Sequence, residues 1–445
     1  MTYISSNYNF WIRFGESDTS YLFNSLQGGL LRIPKNIKNI VEELTNNCFE
    51  LNDIPIHIKK IAKLLINGGF IVLENISELN IIKKRFFSPP NPKTFYLTII
   101  PTLNCNLRCT YCYQRHLDIS MSQEVCRAII KEIKRRIKSQ NIKVLKVEWY
   151  GGEPLLKLGL IKNLSRNIMN LVKENNIFYE ASLVSNGTLL NSKTVKILSK
   201  ICIKRIQITL DGLPEIHNLN RPYIDGTASF EDVIRGIKKA SKRFIINLRI
   251  NVDRYSIKKA FEFLDKMEKY GILKIKKNIR PYIAMIGPLT PNCLNTCERA
   301  IDPKDWYFYV LKFQQELCKR FSDINPKEIF EYPKIFQKPC GAISEWSVCV
   351  HPSGKIFNCG LEIDNLQLSG GFIWEPYWEH PIYKKWTKYN IFENEQCVIC
   401  RYLPICMGGC PKHTFNKESF FKNNACKHWY NYLEPTIKKF IKIVE

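Results

Sequence analysis

Hydrophobic positions along the chain change their period several times, and each change predicts an element. Tyr21–Ile33 carries apolar residues on both sides of Gly28-Gly29 and predicts a hairpin turning on those glycines. Ile37–Asn46 and Ile56–Ile66 repeat their apolar residues at three and four positions, which predicts helices. Gly68-Gly69 then leads into a short apolar strand, Phe70–Leu73, and Ser88-Pro89-Pro90-Asn91-Pro92 reads as a linker.

Between residues 93 and 285 the period switches back and forth. Strand patterns fall at Thr94–Ile100, Val144–Tyr150, Tyr179–Val184, Ile203–Leu210, Ile245–Val252 and Lys274–Ala284. Helical patterns fall between them at Gln123–Lys138, Lys157–Lys173, Ser192–Ser199, Phe230–Ser241 and Ile257–Tyr270. Regular alternation of this kind predicts an α/β fold with a parallel sheet and crossover helices. Six units make a partial (β/α)6 TIM-like barrel, with its site at the carboxyl ends of the strands. Beyond residue 286 the pattern thins to one helix, Trp306–Arg320, a loop-rich, Cys-rich stretch and a terminal helix near His428–Val444. Such a stretch needs a staple, and metal clusters supply one. The expected organisation is residues 1–92, 93–285 and 286–445, without internal repeats.

Composition narrows the class. Hydrophobic residues make up 45% of 445 and charged residues 24%, as in a packed globular protein. No apolar run is long enough to span a membrane. Arg13, Glu16 and Asp18 interrupt the start of the chain where a secretory signal would be apolar, so a cytoplasmic location is expected. The net charge of +25 reads either as lysines scattered over solvated faces or as a surface for a polyanion such as RNA or an acidic leader peptide. No dense basic block or RNA-binding motif stands out, so no nucleic-acid partner is expected, and charge alone supports RNA modification as an alternative. The 17 cysteines bunch in two regions, which points to metal rather than to a disulfide scaffold.

The first group is Cys105-x3-Cys109-x2-Cys112, directly after the first barrel strand. Three thiolates within eight residues can face one point, whereas iron–sulfur clusters normally take four. With no fourth Cys nearby, one iron stays open to a non-protein ligand. Zinc would instead favour paired C-x2-C elements. The spacing, with Tyr111 before the last Cys, resembles the radical S-adenosylmethionine (SAM) motif. Gly151-Gly152-Glu153-Pro154 resembles that family's GGEP motif, and Ser185-Asn186-Gly187 ends the third strand, where the family places polar SAM contacts. Thr209-Leu210-Asp211-Gly212, followed by His217 and Arg221, resembles a stretch of the peptide-modifying members, and Leu248–Asp253 resembles their next strand. The resemblance implies a [4Fe-4S] cluster on Cys105, Cys109 and Cys112. It implies SAM contacts from Tyr111, Gly151, Gly152, Glu153, Ser185, Thr209 and Arg221, the glycines letting the backbone approach the SAM amino group and Glu153 helping to hold it.

The second group runs Cys340-x13-Gly354-x4-Cys359, then Cys397-x2-Cys400-x5-Cys406-x3-Cys410-x15-Cys426. It resembles the SPASM extension, which holds two auxiliary [4Fe-4S] clusters. By that resemblance Cys397, Cys400, Cys406 and Cys426 hold the outer cluster, and Cys340, Cys359 and Cys410 the inner one. Cys349 is the candidate fourth inner ligand; its context also reads as a buried strand cysteine. Cys293 and Cys297 are taken as non-ligands, and Cys48, Cys126, Cys202 and Cys318 as core. A zinc ribbon on Cys397, Cys400, Cys406 and Cys410 would leave Cys340, Cys359 and Cys426 without a role.

The resemblance implies an enzyme that cleaves SAM reductively to a 5′-deoxyadenosyl radical, fed by an electron donor such as flavodoxin or ferredoxin, and modifies a ribosomally made precursor peptide by a thioether or C–C cross-link. Anaerobic sulfatase maturation is the nearest alternative. Those relatives carry Asp after the Cys matching Cys359, and this chain has Gly360. The first 92 residues resemble in layout a small α+β, winged, PqqD-like element that binds a leader peptide by adding a strand; a cap for the barrel is the other reading.

Overall fold

The computed structural model describes all residues except 15–18, 273–277, 321–331, 416–421 and 445, and it leaves out the side chains of 422–428, 443 and 444. The chain divides into two compact units. One comprises 1–88, 326–340 and 390–445, and the other 89–325 and 341–389.

The first unit opens with strands β1 (Thr2–Ser5), β2 (Asn9–Arg13), β3 (Ser20–Asn24) and β4 (Leu30–Ile33). Helix α1 (Lys35–Asn46), β5 (Phe49–Glu50), α2 (Ile56–Asn67), β6 (Ile71–Leu73) and α3 (Glu78–Phe87) follow. They form two antiparallel sheets, ordered β5-β1-β6 and β2-β3-β4. The predicted hairpin is β3–β4, and Gly28 takes the left-handed conformation in its turn, φ 73°. Strands β1, β2 and β5 and helix α3 add to the prediction. β3 is buried along its whole length because both faces are covered. Leu22 packs with Val41, Leu44, Ala62 and Leu65 of the helices, whereas Phe23 packs with Phe10, Ile405, Leu433 and Ile437. The terminal helix begins earlier than predicted, spanning Lys422–Val444.

The second unit holds the barrel. Its strands are β7 (Thr94–Ile99), β8 (Val144–Trp149), β9 (Phe178–Ser185), β10 (Ile203–Thr209), β11 (Ile245–Val252) and β12 (Ile279–Met285), all mutually parallel. The predicted start of the last strand, Lys274, lies outside the described residues. Crossovers carry helices α4 (Gln123–Gln140), α5 (Leu158–Glu174), α6 (Ser192–Ser199), α7 (Pro214–Asn220), α8 (Phe230–Ala240) and α9 (Ile257–Lys266). This is the expected α/β partial barrel, with α10 (Pro303–Arg320) after it. Two further strands extend the sheet beyond β7: β13 (Ser347–Val350), parallel to β7, and β14 (Ile356–Phe357), antiparallel to β13. They occupy the edge that an open barrel leaves unpaired.

Strand alternation separates two faces. Leu97, Val147, Leu183, Ile206 and Leu248 are buried on one. Tyr96, Lys146, Glu148, Ser182, Gln207, Arg249 and Tyr282 lie on the other, which is less buried and polar. A closed TIM barrel fills its interior with branched apolar side chains; this one keeps a polar inner face. On the outside, Glu132 and Arg136 of α4 form a buried ion pair at 2.7 Å, and Arg136 also donates to Tyr377 at 2.7 Å.

Candidate functional site

The site is built at the carboxyl ends of the strands, starting from the loop after β7. Thr102 bridges Ser120, and Leu103 N donates to Ile119 O at 3.0 Å, which closes that loop into a cup. The three cysteines lie within it. Arg108 N and Thr110 N donate to Pro222 O and Asn220 O at 2.8 and 2.9 Å, so the segment after α7 clamps the cysteines from one side. From another side Asn295 donates to Thr110 O, while Thr290 and Asn292 donate to Tyr113 O, at 3.1–3.2 Å. Each thiol raises the pKa of another: Cys109 that of Cys105, Cys112 that of Cys109, and Cys105 that of Cys112. Burial is the largest cause, and the three are pushed up to about 11; Arg221 pulls each the other way. Asn186 Nδ2 donates to Cys105 Sγ at 3.8 Å. Among the described residues no three His, Cys, Asp or Glu side chains converge tightly enough for a single metal ion. A cubane spreads its ligands over several irons, so its thiolates stand further apart.

Tyr111 joins the ends of β10 and β11 to the residue that caps α7. Its hydroxyl donates to Asp211 Oδ2 at 2.6 Å and accepts from Arg221 Nη1 at 2.8 Å and Asn251 Nδ2 at 2.9 Å. Burial holds the Tyr111 hydroxyl well above the ordinary range. Two atoms of this network, Asp211 Oδ1 and Arg221 Nε, are buried without a hydrogen-bond partner. A buried donor and a buried acceptor that are left open cost free energy unless something fills them. They could take the carboxylate and the ammonium or hydroxyl groups of a bound small molecule. His217 is a strut: its Nδ1 accepts from Asp211 N at 3.2 Å, and its Nε2 meets Ser229 Oγ at 3.0 Å. Burial lowers its pKa well below the ordinary value, so it stays neutral.

Gly151 and Gly152 bring the end of β8 against the cysteine loop. Gly152 N donates to Thr102 O at 3.1 Å and Glu153 N to Asn104 O at 2.8 Å. Gly151 has φ 128°, and a Cβ on Gly152 would stand 2.2 Å from Asn104 O. Glu153 is fully buried and accepts from Ser185 Oγ at 3.0 and 3.1 Å, Asn186 N at 2.7 Å and Leu155 N at 3.0 Å. Burial pushes its carboxyl up to about 7, against the pull of these donors. Both its oxygens are therefore used in fixing β9 to β8, with Ser185 as the link. Thr209 ends β10 beside Arg249 of β11.

The later cysteines fall in both units. Cys349 and Cys359 belong to the barrel unit, and Cys340, Cys397, Cys400, Cys406 and Cys410 to the other. Cys349 lies on β13, pairs with Thr98 of β7 and is buried with Ile100, Leu103 and Phe357. Burial raises its pKa, and Cys359 adds to the rise, so the two thiols are neighbours. Tyr150 lies within electrostatic reach of Cys112, Cys349 and Cys359. Cys397, Cys400 and Cys406 are half-buried on consecutive short turns, with Cys400 N donating to Cys397 O at 3.1 Å. The side chain of Cys426 lies outside the described residues. Cys293 is buried, its thiol donating to Thr290 O at 3.3 Å, while Cys297 is exposed. Cys126 is buried and Cys202 and Cys318 are half-buried, but Cys48 is exposed, contrary to its assignment to the core. It follows the C-terminal end of α1, where the apolar spacing has already ended.

Asp211, Asn251 and Arg299 were absent from the predicted site residues. Arg299 pairs with Asp253 at 2.7 Å and donates to Asn220 at 2.9 Å. The signal for Asn251 was a polar side chain at the end of an apolar strand; Arg299 had none, since its role depends on a long-range contact.

Comparison with known proteins agrees with this geometry. Residues 99–258 match the Radical SAM superfamily. A probable GTP 3′,8-cyclase from Methanococcus aeolicus is 31% identical over 234 residues, 52% of this chain and 74% of the relative. A cysteine-type anaerobic sulfatase-maturating enzyme from Clostridium novyi is 23% identical over 374 residues, 77% of this chain and 95% of the relative. Among solved structures, Streptococcus suis SuiB bound to precursor peptide SuiA superposes with TM-score 0.55 at 16% identity, covering 94% of this chain and 97% of SuiB.

Proposed function

The chain belongs to the radical SAM superfamily, an enzyme family whose members bind a [4Fe-4S] cluster and SAM, and from that premise we propose that it is a peptide maturase that cross-links a ribosomally made precursor through a thioether or C–C bond. The residues present fit both groups. Cys105, Cys109 and Cys112 supply three thiolates and no fourth. The open Arg221 Nε and Asp211 Oδ1 suit the charged and hydroxyl groups of SAM. When bound, the cluster and SAM supply a 5′-deoxyadenosyl radical that takes a hydrogen atom from an unactivated C–H bond.

The chain's own residues orient and shield. Tyr111, Asp211 and Asn251 hold one another rigid, so a bound small molecule meets preformed partners. Gly151, Gly152 and Glu153 fix the cysteine cup against the strand ends. The substrate side is the inner barrel face. Its polar side chains, Lys146, Glu148, Gln207 and Arg249 among them, suit a polar chain segment. By the family resemblance, Cys340, Cys349, Cys359 and Cys410 are the proposed inner auxiliary ligands; Cys397, Cys400, Cys406 and Cys426 are the outer ones. Their clusters would accept the electron that bond formation releases, and a small reduced protein such as flavodoxin or ferredoxin would supply the first one.

The observation that carries the peptide reading is the open, polar inner face, supported by whole-chain similarity to SuiB, whose structure holds a precursor peptide. The test is incubation of the reconstituted enzyme, SAM and dithionite with the product of any short open reading frame that adjoins its gene. The expected result is a product lighter by two hydrogen atoms; an unchanged peptide with continued SAM cleavage would count against it. Sulfatase maturation is the second reading, favoured by the Clostridium novyi relative. Conversion of a cysteine-type sulfatase peptide to formylglycine would establish it instead.

A further inference from the structure

The stretch from Cys397 to Cys410 cannot make a core of its own. Its helices, Glu395–Val398 and Leu403–Cys406, have four residues each. Yet Leu403, Ile405 and Met407 are buried to 2% exposure or less. The apolar partners of Ile405 come from both ends of the chain. It packs with Phe10, Ile12, Tyr21 and Phe23 of β2 and β3, and with Leu433, Ile437 and Ile441 of the terminal helix.

Polar contacts then fasten the turn between Cys400 and Cys406 to the same strands. The Arg401 guanidinium stands over the Phe10 ring, 4.2 Å from its centroid, and donates to Asn9 O. Ser25 Oγ donates back to Arg401 O at 2.8 Å. Tyr402 meets Phe10 at 4.8 Å between centroids. Separately from that turn, Tyr332 donates to Gly28 O at 2.8 Å and packs on Phe23 and Phe440. The other face of the strands, through Leu22, carries helices α1 and α2.

We propose that β2 and β3 are a built-in wall of the Cys397–Cys400–Cys406 site, and that Arg401 is the positioning residue that clasps the cysteine turn to it. Strands β2 and β3 then belong to the cluster site as much as to any peptide-docking module. A short, loop-rich turn holds its ligands in register only if the surrounding shell is fixed, and outer-shell contacts control solvent access to a metal centre. The proposal rests on the reading that these cysteines hold an auxiliary cluster.

The test removes the first cluster so that only auxiliary ones report. In a Cys105→Ala, Cys109→Ala, Cys112→Ala background, iron and sulfide are counted after anaerobic reconstitution, and bleaching of the cluster absorbance is followed in air. The parent should hold about two cubanes. Adding Arg401→Ala should remove about one of them and speed bleaching several-fold; Phe10→Ala should do the same. Arg401→Lys, which keeps the cation over the ring, should recover part of the loss. Ser25→Ala is a milder variant, should the larger ones fail to fold, and should bleach measurably faster. Arg13→Ala, at an exposed position of β2, should match the parent. Unchanged iron and bleaching in Arg401→Ala and Phe10→Ala, or an equal effect from Arg13→Ala, would overturn the clasp. A parent without any cluster would overturn the auxiliary-cluster reading, and the clasp with it.

Discussion

At the scale of single residues, the Tyr111 hydroxyl and the Glu153 carboxyl are the groups whose removal is most informative. Tyr111→Phe leaves Asp211, Arg221 and Asn251 each short of one partner in a buried site. An unsatisfied buried polar group costs roughly 1–3 kcal/mol, so SAM should bind about 10- to 100-fold more weakly, by equilibrium dialysis against the reconstituted enzyme. Glu153 gives a pH signature. Its carboxyl is raised to about 7 in the folded chain, so the folded state keeps a proton that the unfolded chain releases at lower pH. That contribution is fully present below the ordinary carboxylate range and is lost as pH rises through about 7. The metal-free chain should therefore lose up to ~3 kcal/mol of stability over that window, and Glu153→Gln should flatten the slope in urea titrations at pH 5 and pH 8.

At the scale of elements, the contact between the β8 turn and the cysteine loop is the sharpest constraint. A Cβ on Gly152 would stand 2.2 Å from Asn104 O and 2.6 Å from Leu103 O, both backbone atoms with little room to yield. Gly152→Ala should lower the melting temperature by several degrees and reduce iron uptake. Gly159→Ala, in α5 with nothing within 4 Å of its Cβ, should leave iron uptake unchanged and stabilise by about 0.5–1 kcal/mol. The barrel elements were legible because each strand–helix unit carries its own period. The cysteine cup was legible because its ligands sit in one loop. β1 and β2 were not, since residues 2–13 mix polar and apolar positions and β2 is packed on both faces, Phe10 on one and Trp11 on the other. The addition of β13 to β7 was not legible either. Only the open barrel edge, set by five other strands, determines that pairing.

At the scale of the molecule, neither compact unit is continuous in sequence. Residues 1–88 and 390–445 belong to one unit and share a core through Phe10, Phe23, Ile405 and Leu433. No linear pattern announces such a partnership between chain ends. The proposed radical chemistry falls in the barrel unit, and that proposal rests on three sulfurs from one loop. The most direct measurement is 5′-deoxyadenosine release after anaerobic reconstitution with SAM and dithionite, compared between the natural chain and the Cys105→Ala, Cys109→Ala, Cys112→Ala variant. Release by the natural chain and none by the variant is the predicted result; equal release by both, or none by either, would contradict it.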